Sequence, residues 1–164
     1  MSIPYKKILL PLDGSEFAAQ ALPHAEAVAS AHGAALILFE VINDPLRIMA
    51  TPPGVGSARA SGTSIVGIGP ARADDAQHQQ AMDEAQRNLG ELVTSLRHRK
   101  IDAVADIDSG DPATCIVDYA SAHDVDLIVM NTHGRTGIQR WAYGSVTSKV
   151  LQAAHCAVLV VRPD

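Results

Sequence analysis

The sequence predicts one α/β domain in which five short parallel strands alternate with helices that cover both faces of the sheet. Three observations carry that expectation. Runs of branched and other apolar residues recur at Ile8 to Leu12, Ala35 to Val41, Ala103 to Ile107, Leu127 to Met130 and Ala157 to Val161. Several of these runs are continuously apolar rather than alternating, as strands buried on both faces must be. Helical patterns fill the intervals, and a βαβαβαβαβ series closes through right-handed crossovers into a doubly wound sheet. With 164 residues the chain can bury one substantial core but not two independent ones.

Taken in chain order, the first strand runs through Pro11 and Leu12 into Asp13-Gly14-Ser15. Ser15 is a residue of N-cap type, so the first helix is expected to start there, to bury Leu22, Ala25, Val28 and Ala29, and to stop at Gly33. Pro23 falls inside that span and predicts a kink. After the second strand, Asn43 to Asp74 is rich in Gly, Pro, Ala and Ser and too long for an ordinary connection, which makes it a mobile loop. Met82, Ala85, Leu89, Leu92, Val93 and Leu96 then repeat at three and four residues and mark an amphipathic second helix. Asp111-Pro112 sets an N-cap aspartate before a proline at the first helical position and opens the third helix. Gly144-Ser145 opens the fourth, which should turn Val146, Val150, Leu151 and Ala154 toward the sheet. Residues 1–164 are therefore read as a single domain carrying one long loop.

Composition narrows the partners. A net charge of -5 argues against binding nucleic acid by phosphate neutralisation, which needs a basic surface. Pro11 and Asp13 cut the apolar run after Lys6-Lys7 short of a secretory signal, and no apolar stretch approaches the roughly 20 residues that span a bilayer. The two cysteines, Cys115 and Cys156, have neither metal-ligand spacing nor the density of a disulfide framework. A cytoplasmic location, no membrane contact and buried, inert thiols are the expectations.

Two places carry candidate chemistry. The first is Asp13, at the carboxyl end of a buried strand, the edge where open α/β sheets bind ligands. It could accept from a ribose hydroxyl or an adenine amine, or it could be an ordinary turn aspartate. The second is the connection from Leu127-Ile128-Val129-Met130 through Asn131-Thr132-His133-Gly134-Arg135-Thr136-Gly137 to Gly144-Ser145-Val146-Thr147. Its glycines let the backbone turn and come close to a ligand, and Ser145 and Thr147 add hydroxyls where a helix N-terminus favours an anion. From Asn131 to His155 there is no Asp or Glu, while Arg135, Arg140 and Lys149 are present. Phosphate is the anion this local field favours, against the alternative of a glycine-rich surface loop before a serine-capped helix.

Other motifs fail on context. Gly54-Val55-Gly56 and Gly67-Ile68-Gly69 lack the third glycine and the strand-turn-helix setting of a dinucleotide fingerprint, and Gly144 to Lys149 lacks the ending of a Walker loop. His133 has no companion ligand at metal spacing and reads as structural. The other histidines look solvated, Trp141 and Tyr143 read as packing residues, and no Ser-His-Asp, Cys-His or paired-carboxylate set can be assembled.

With these residues in place the chain resembles the universal stress protein family along nearly its whole length. The resemblance rests on Lys7 to Ser15, on the Gly110-Asp111-Pro112 turn and on Asp126 to Pro163. Nucleotide-binding members of that family carry a glycine, two residues, a glycine, nine residues, and a glycine followed by serine or threonine. Gly134 and Gly144-Ser145 match, and Asn131 stands in the place of the first glycine. Asparagine is one of the few residues that enter left-handed φ, so the turn should survive, with a side chain in space that glycine would leave to the ligand.

The resemblance implies a 3-2-1-4-5 sheet of the adenine nucleotide alpha hydrolase-like kind. That order has its switch point between the first and fourth strands, where the local chemistry also points. It further implies ATP, with magnesium, as the ligand. Pro11 and Asp13 would flank the adenosine, Val41 would meet the adenine through its backbone, and Met130 and Asn131 would line the floor. Gly134, Gly144, Ser145, Val146 and Thr147 would hold ribose and phosphates, with Arg135 near the outer phosphates. A homodimer through Ala157 to Val161 would pair the edge strand. The function so implied is a nucleotide-dependent stress-response or regulatory module rather than an enzyme, slow hydrolysis aside. Two other readings remain: a nucleotide-free dimeric interaction or chaperone-like protein whose site Asn131 has closed, and an adenylate-transferring enzyme, which would require a PP-loop or HIGH-like signature that the sequence lacks.

Overall fold

The computed structural model describes residues 5–15, 20–43, 73–132 and 144–162. Among them run β1 (Lys7–Leu12), α1 (Leu22–His32), β2 (Ala35–Ile42), α2 (Ala73–His98), β3 (Ala103–Ser109), α3 (Pro112–Ala122), β4 (Leu127–Asn131), α4 (Ser145–Ala153) and β5 (Ala157–Val161). The five strands form one sheet in the order β3-β2-β1-β4-β5, and every neighbouring pair is parallel. This is the doubly wound architecture that the apolar runs predict.

Alternation along the strands divides the core into two layers. Ile8, Leu10, Leu36, Leu38, Leu127 and Val129 pack with Ala25 and Ala29 of α1 and Leu89, Val93 and Leu96 of α2. Leu9, Ile37, Phe39, Ile128 and Met130 pack on the other face with Ala113, Ile116 and Ala120 of α3 and Val150 of α4. Because both faces are covered, Ile8, Leu9 and Leu10 are all fully buried, which explains an apolar run without polar alternation.

Three strands outrun their apolar stretches. β2 reaches Ile42, β3 reaches Ser109 and β4 reaches Asn131, because the parallel ladder continues through Ile42↔Ser109 and Asn131↔Val161 whatever the side chains' polarity. The helices keep to their signals with four differences. α1 starts at Leu22 after Ala21, which places Pro23 in the first turn, where a missing N–H breaks no helical bond and gives no cause for the expected kink. Ser15 donates its amide (3.0 Å) and its hydroxyl to Asp13 Oδ1 instead of capping α1, and residues 16–19 lie outside the described residues. α2 includes Ala73 and Asp74, so the loop expected over 43–74 is shorter at that end, and 44–72 lie outside the described residues. In α4 the stripe Val146, Val150 and Ala154 meets the sheet, whereas Leu151 is 40% exposed. α3 starts as expected, with Asp111 accepting from the Thr114 amide at 3.1 Å and Pro112 at the first helical position. No helix among the described residues is long and apolar enough to cross a membrane.

Candidate functional site

The candidate site lies where β1 and β4 part. β1 is in register with β2 from Lys7 to Leu12 and β4 with β5 from Leu127 to Asn131, yet β1 and β4 pair only at Ile8↔Leu127 and Leu9↔Ile128. The residue types account for this. Lys7 O accepts from Asp126 N, so strand alternation directs the backbone groups of Leu9 and then Pro11 toward β4. Pro11 has no N–H to give, and the ladder ends before it. β1 then leads to α1 on one face and β4 to α4 on the other, the switch point at which doubly wound sheets leave a crevice outside the carboxyl ends of their strands.

The β1 side of the crevice is the turn Asp13-Gly14-Ser15, with Gly14 at φ 72. Asp13 is half-buried, and its Oδ1 holds Ser15, so the carboxylate organises this turn. The β4 side is more elaborate. Thr132 N donates to Val161 O at 3.0 Å, Gly144 N donates to Thr132 O at 2.7 Å, and Thr147 Oγ1 donates to Asn131 O at 2.8 Å. These bonds fasten the start of α4 onto the end of β4. Gly144 is the N-cap and Ser145, exposed, is the first helical residue. The first-turn amides of α4 have no helical carbonyl to bond, and they carry the positive end of the helix dipole.

Three expectations about this loop change. Asn131 is a strand residue, and among the described residues the non-glycine positions with positive φ are Lys100 and Asp124, so it does not stand in for a left-handed glycine. Gly144 has φ -57 and ψ 156, a conformation open to any residue, so only close approach could require its lack of a side chain. Thr147 was expected to offer its hydroxyl to a phosphate; it is 3% exposed, and that hydroxyl is engaged by Asn131 O.

Asn131 itself is only 8% exposed, and neither Oδ1 nor Nδ2 has a hydrogen-bond partner. Met130, Val41 and Val146 lie together in the apolar layer on the α3 and α4 side, and Pro11 is half-buried on β1. Gly134 and Arg135, like His133, Arg140, Trp141 and Tyr143, lie outside the described residues. Lys149, counted toward the local positive field, reaches Asp111 Oδ1 at 3.4 Å and so joins α4 to the cap of α3. There the Asp111 carboxyl is held below its ordinary value: burial alone would raise it, but the Thr114 hydroxyl and amide, and then Lys149, outweigh that. Both cysteines are half-buried, and burial raises the Cys156 thiol further. Among the described residues no group of three or more His, Cys, Asp or Glu could hold a metal ion.

Sequence reasoning missed Thr132 and the unpaired carboxamide of Asn131. Thr132 had no signal beyond its place between the strand and the glycines. Asn131 had one, a polar residue directly after a continuous apolar strand.

Comparison with known proteins agrees with this fold. The profile of the universal stress protein family matches residues 4–162. Universal stress protein MJ0531 of Methanocaldococcus jannaschii is 30% identical over 158 residues, 96% of this chain and 82% of that protein. The solved structure of MJ0577 from the same organism superimposes with a TM-score of 0.78 at 26% identity, covering 99% of each chain. A universal stress protein in complex with cAMP shares the fold, with a TM-score of 0.66 at 20% identity over 97% of this chain and 98% of that one. This chain is therefore a member of the universal stress protein family.

Proposed function

We propose that the protein binds ATP, with its magnesium, in the crevice between β1 and β4 and acts as a nucleotide-responsive regulatory module rather than as an enzyme. The observation that carries the reading is the early end of the β1–β4 ladder beside the start of α4, where Gly144 and the exposed Ser145 open a helix toward the gap. An anion there gains unpaired amides and the helix dipole at once. The apolar layer of Val41, Met130 and Val146 next to it offers a surface for a base, and a relative of the same fold takes up cAMP. Magnesium would be held mainly by phosphate oxygens, in keeping with its preference for oxygen ligands and retained water. The non-enzymatic reading rests on the engagement of Asp13 with Ser15, which makes that carboxylate a turn organiser rather than a base. The same reading takes the chain as one cytoplasmic domain that pairs with a second copy of itself, and a net charge of -5 speaks against nucleic acid as a partner.

Calorimetric titration with ATP and magnesium tests the proposal on the wild type beside Gly144→Val and Asn131→Gly. The expected result is binding by the wild type and Asn131→Gly and none by a folded Gly144→Val, since valine adopts the Gly144 backbone conformation but fills the approach to the α4 amides. Asn131 supports a second reading, a nucleotide-free interaction or chaperone-like dimer, because its buried side chain occupies the place of the family's glycine. Binding by Asn131→Gly alone would establish that reading, and binding by none of the three proteins would end the nucleotide proposal.

A further inference from the structure

From the buried, unpaired carboxamide at the carboxyl end of β4 we infer that Asn131 reads the sugar hydroxyls of the bound nucleotide and makes the site selective for a ribose over a deoxyribose. The inference rests on the nucleotide reading above and deepens it. Asn131 is 8% exposed, and both its Oδ1 and its Nδ2 lack a partner. A carboxamide left so inside a protein is costly, and native structures leave few such groups without a reason. Its backbone is held in place, because Asn131 O accepts from Thr147 Oγ1 at 2.8 Å and the residue is in register with Val161 of β5. Toward β1 the ladder has already ended, since β1 and β4 pair only as far as Leu9↔Ile128. Alternation along β4, with Leu127 and Val129 in the layer of α1 and α2 and Ile128 and Met130 in the opposite one, turns the Asn131 side chain to the face onto which β1 leads.

Chemistry selects the group that would complete it. The carboxamide presents a donor and an acceptor side by side, so its complement must accept and donate as well. An ionised phosphate only accepts: it would satisfy Nδ2 and set oxygen lone pairs against Oδ1. Phosphate also has its own place at the first turn of α4, which is tied to this strand end through Gly144 N and Thr132 O at 2.7 Å. The part of a nucleotide joined directly to the phosphate that both donates and accepts is the hydroxylated sugar. Each hydroxyl can take a proton from Nδ2 and give one to Oδ1. A site built to bond a hydroxyl rejects the analogue lacking it, because its own buried groups are then left unpaired.

The test is titration calorimetry of ATP, 2′-deoxyATP and 3′-deoxyATP against the wild type, Asn131→Gly and Asn131→Leu, with thermal melts to confirm folding. Glycine is the residue the family carries at this place, and leucine keeps the bulk of asparagine without its polar pair. The wild type is expected to bind at least one deoxy analogue about tenfold more weakly than ATP, and Asn131→Gly to bind all three within about twofold of one another. Equal binding of all three by the wild type, or a discrimination that survives in Asn131→Gly, would overturn the inference and leave Asn131 with a buried water as its partner. Loss of ATP binding in Asn131→Leu with the tenfold preference absent in Asn131→Gly supports it. Failure of every protein to bind any of the three compounds removes the nucleotide reading and this inference with it, an outcome distinct from the other two.

Discussion

Thr147 Oγ1 donates to the backbone carbonyl of Asn131 at 2.8 Å, and this bond joins the first turn of α4 to the last residue of β4 across sixteen positions of sequence. Both residues are buried, so water does not replace the bond when it is lost. Thr147→Val keeps the shape and leaves the carbonyl unpaired, which should cost about 1–3 kcal/mol. In urea the midpoint should fall while the slope stays that of the wild type, and Thr147→Ser should recover most of the loss. A midpoint unchanged in Thr147→Val would show that the hydroxyl has no structural role.

Among the described residues, Gly110 is a glycine whose identity the backbone dictates. Its φ is 147, and a Cβ built there would lie 3.2 Å from Cys115 Sγ. Its amide meanwhile donates to Ile42 O at 3.0 Å, so the turn into α3 cannot swing away freely. Gly110→Ala should destabilise the protein by about 1–3 kcal/mol. Adding Cys115→Ala removes the contact but not the strained φ, so the double variant should recover only part of the loss. Full recovery would mean that crowding alone, not backbone conformation, selects glycine.

What was legible in the sequence follows the range of the interaction involved. Ala157 to Val161 and Asp111-Pro112 were readable because a continuous branched run and an aspartate before a proline act within a few residues. Ser15 is not the cap of α1, whose N-cap is Ala21; its hydroxyl bonds the preceding aspartate, a use that the local pattern Asp13-Gly14-Ser15 allows as readily as capping. Pro23 was misread by only a turn: the rule for proline reverses between a helix interior and its first turn, and the boundary decided it. The direction of the Thr147 hydroxyl and the isolation of the Asn131 carboxamide depend on how α4 docks on β4, which no spacing records. The end of the β1–β4 ladder did carry a signal, a proline near the end of a central strand, and it marks the crevice more directly than the glycines do.

Asp111 should give a pH-dependent contribution to stability. Its side chain caps α3 and meets Lys149, and its carboxyl is held below the ordinary value of 3.8. A carboxyl lowered in the folded state stabilises the fold once pH exceeds the unfolded value, and that contribution disappears as pH falls through the folded value. Asp111→Ala should therefore cost about 1 kcal/mol at neutral pH, chiefly through the lost cap. The gap between variant and wild type should narrow below pH 3.8. Denaturation of both proteins across pH 2–7 checks this, and a gap that widens on acidification would contradict the assignment.

The two edges of the sheet are built differently, and the difference predicts which one pairs. On β3, Leu36 N donates to Asp102 O, so alternation turns the amides of Ile107 and Ser109 outward. Those amides bond the side chains of the residues before them, Asp106 Oδ1 at 2.9 Å and Asp108 Oδ1 at 2.8 Å, and two carboxylates thereby close that edge to another strand. On β5, Ala157 N donates to Asp126 O and Val161 O accepts from Thr132 N, so Val158 and Val160 are the residues whose backbone groups point away from β4. Ala157 and Leu159 are exposed, Leu159 by 36%, and the strand carries no charge. The proposed homodimer should therefore form through β5. Val160→Pro removes an outward donor without touching the ladder to β4, and Leu159→Lys places a charge on the exposed face. Light scattering after gel filtration should find the wild type as a dimer and both variants as folded monomers. A monomeric wild type would refute the dimer, and variants that remain dimeric would move the interface to another surface.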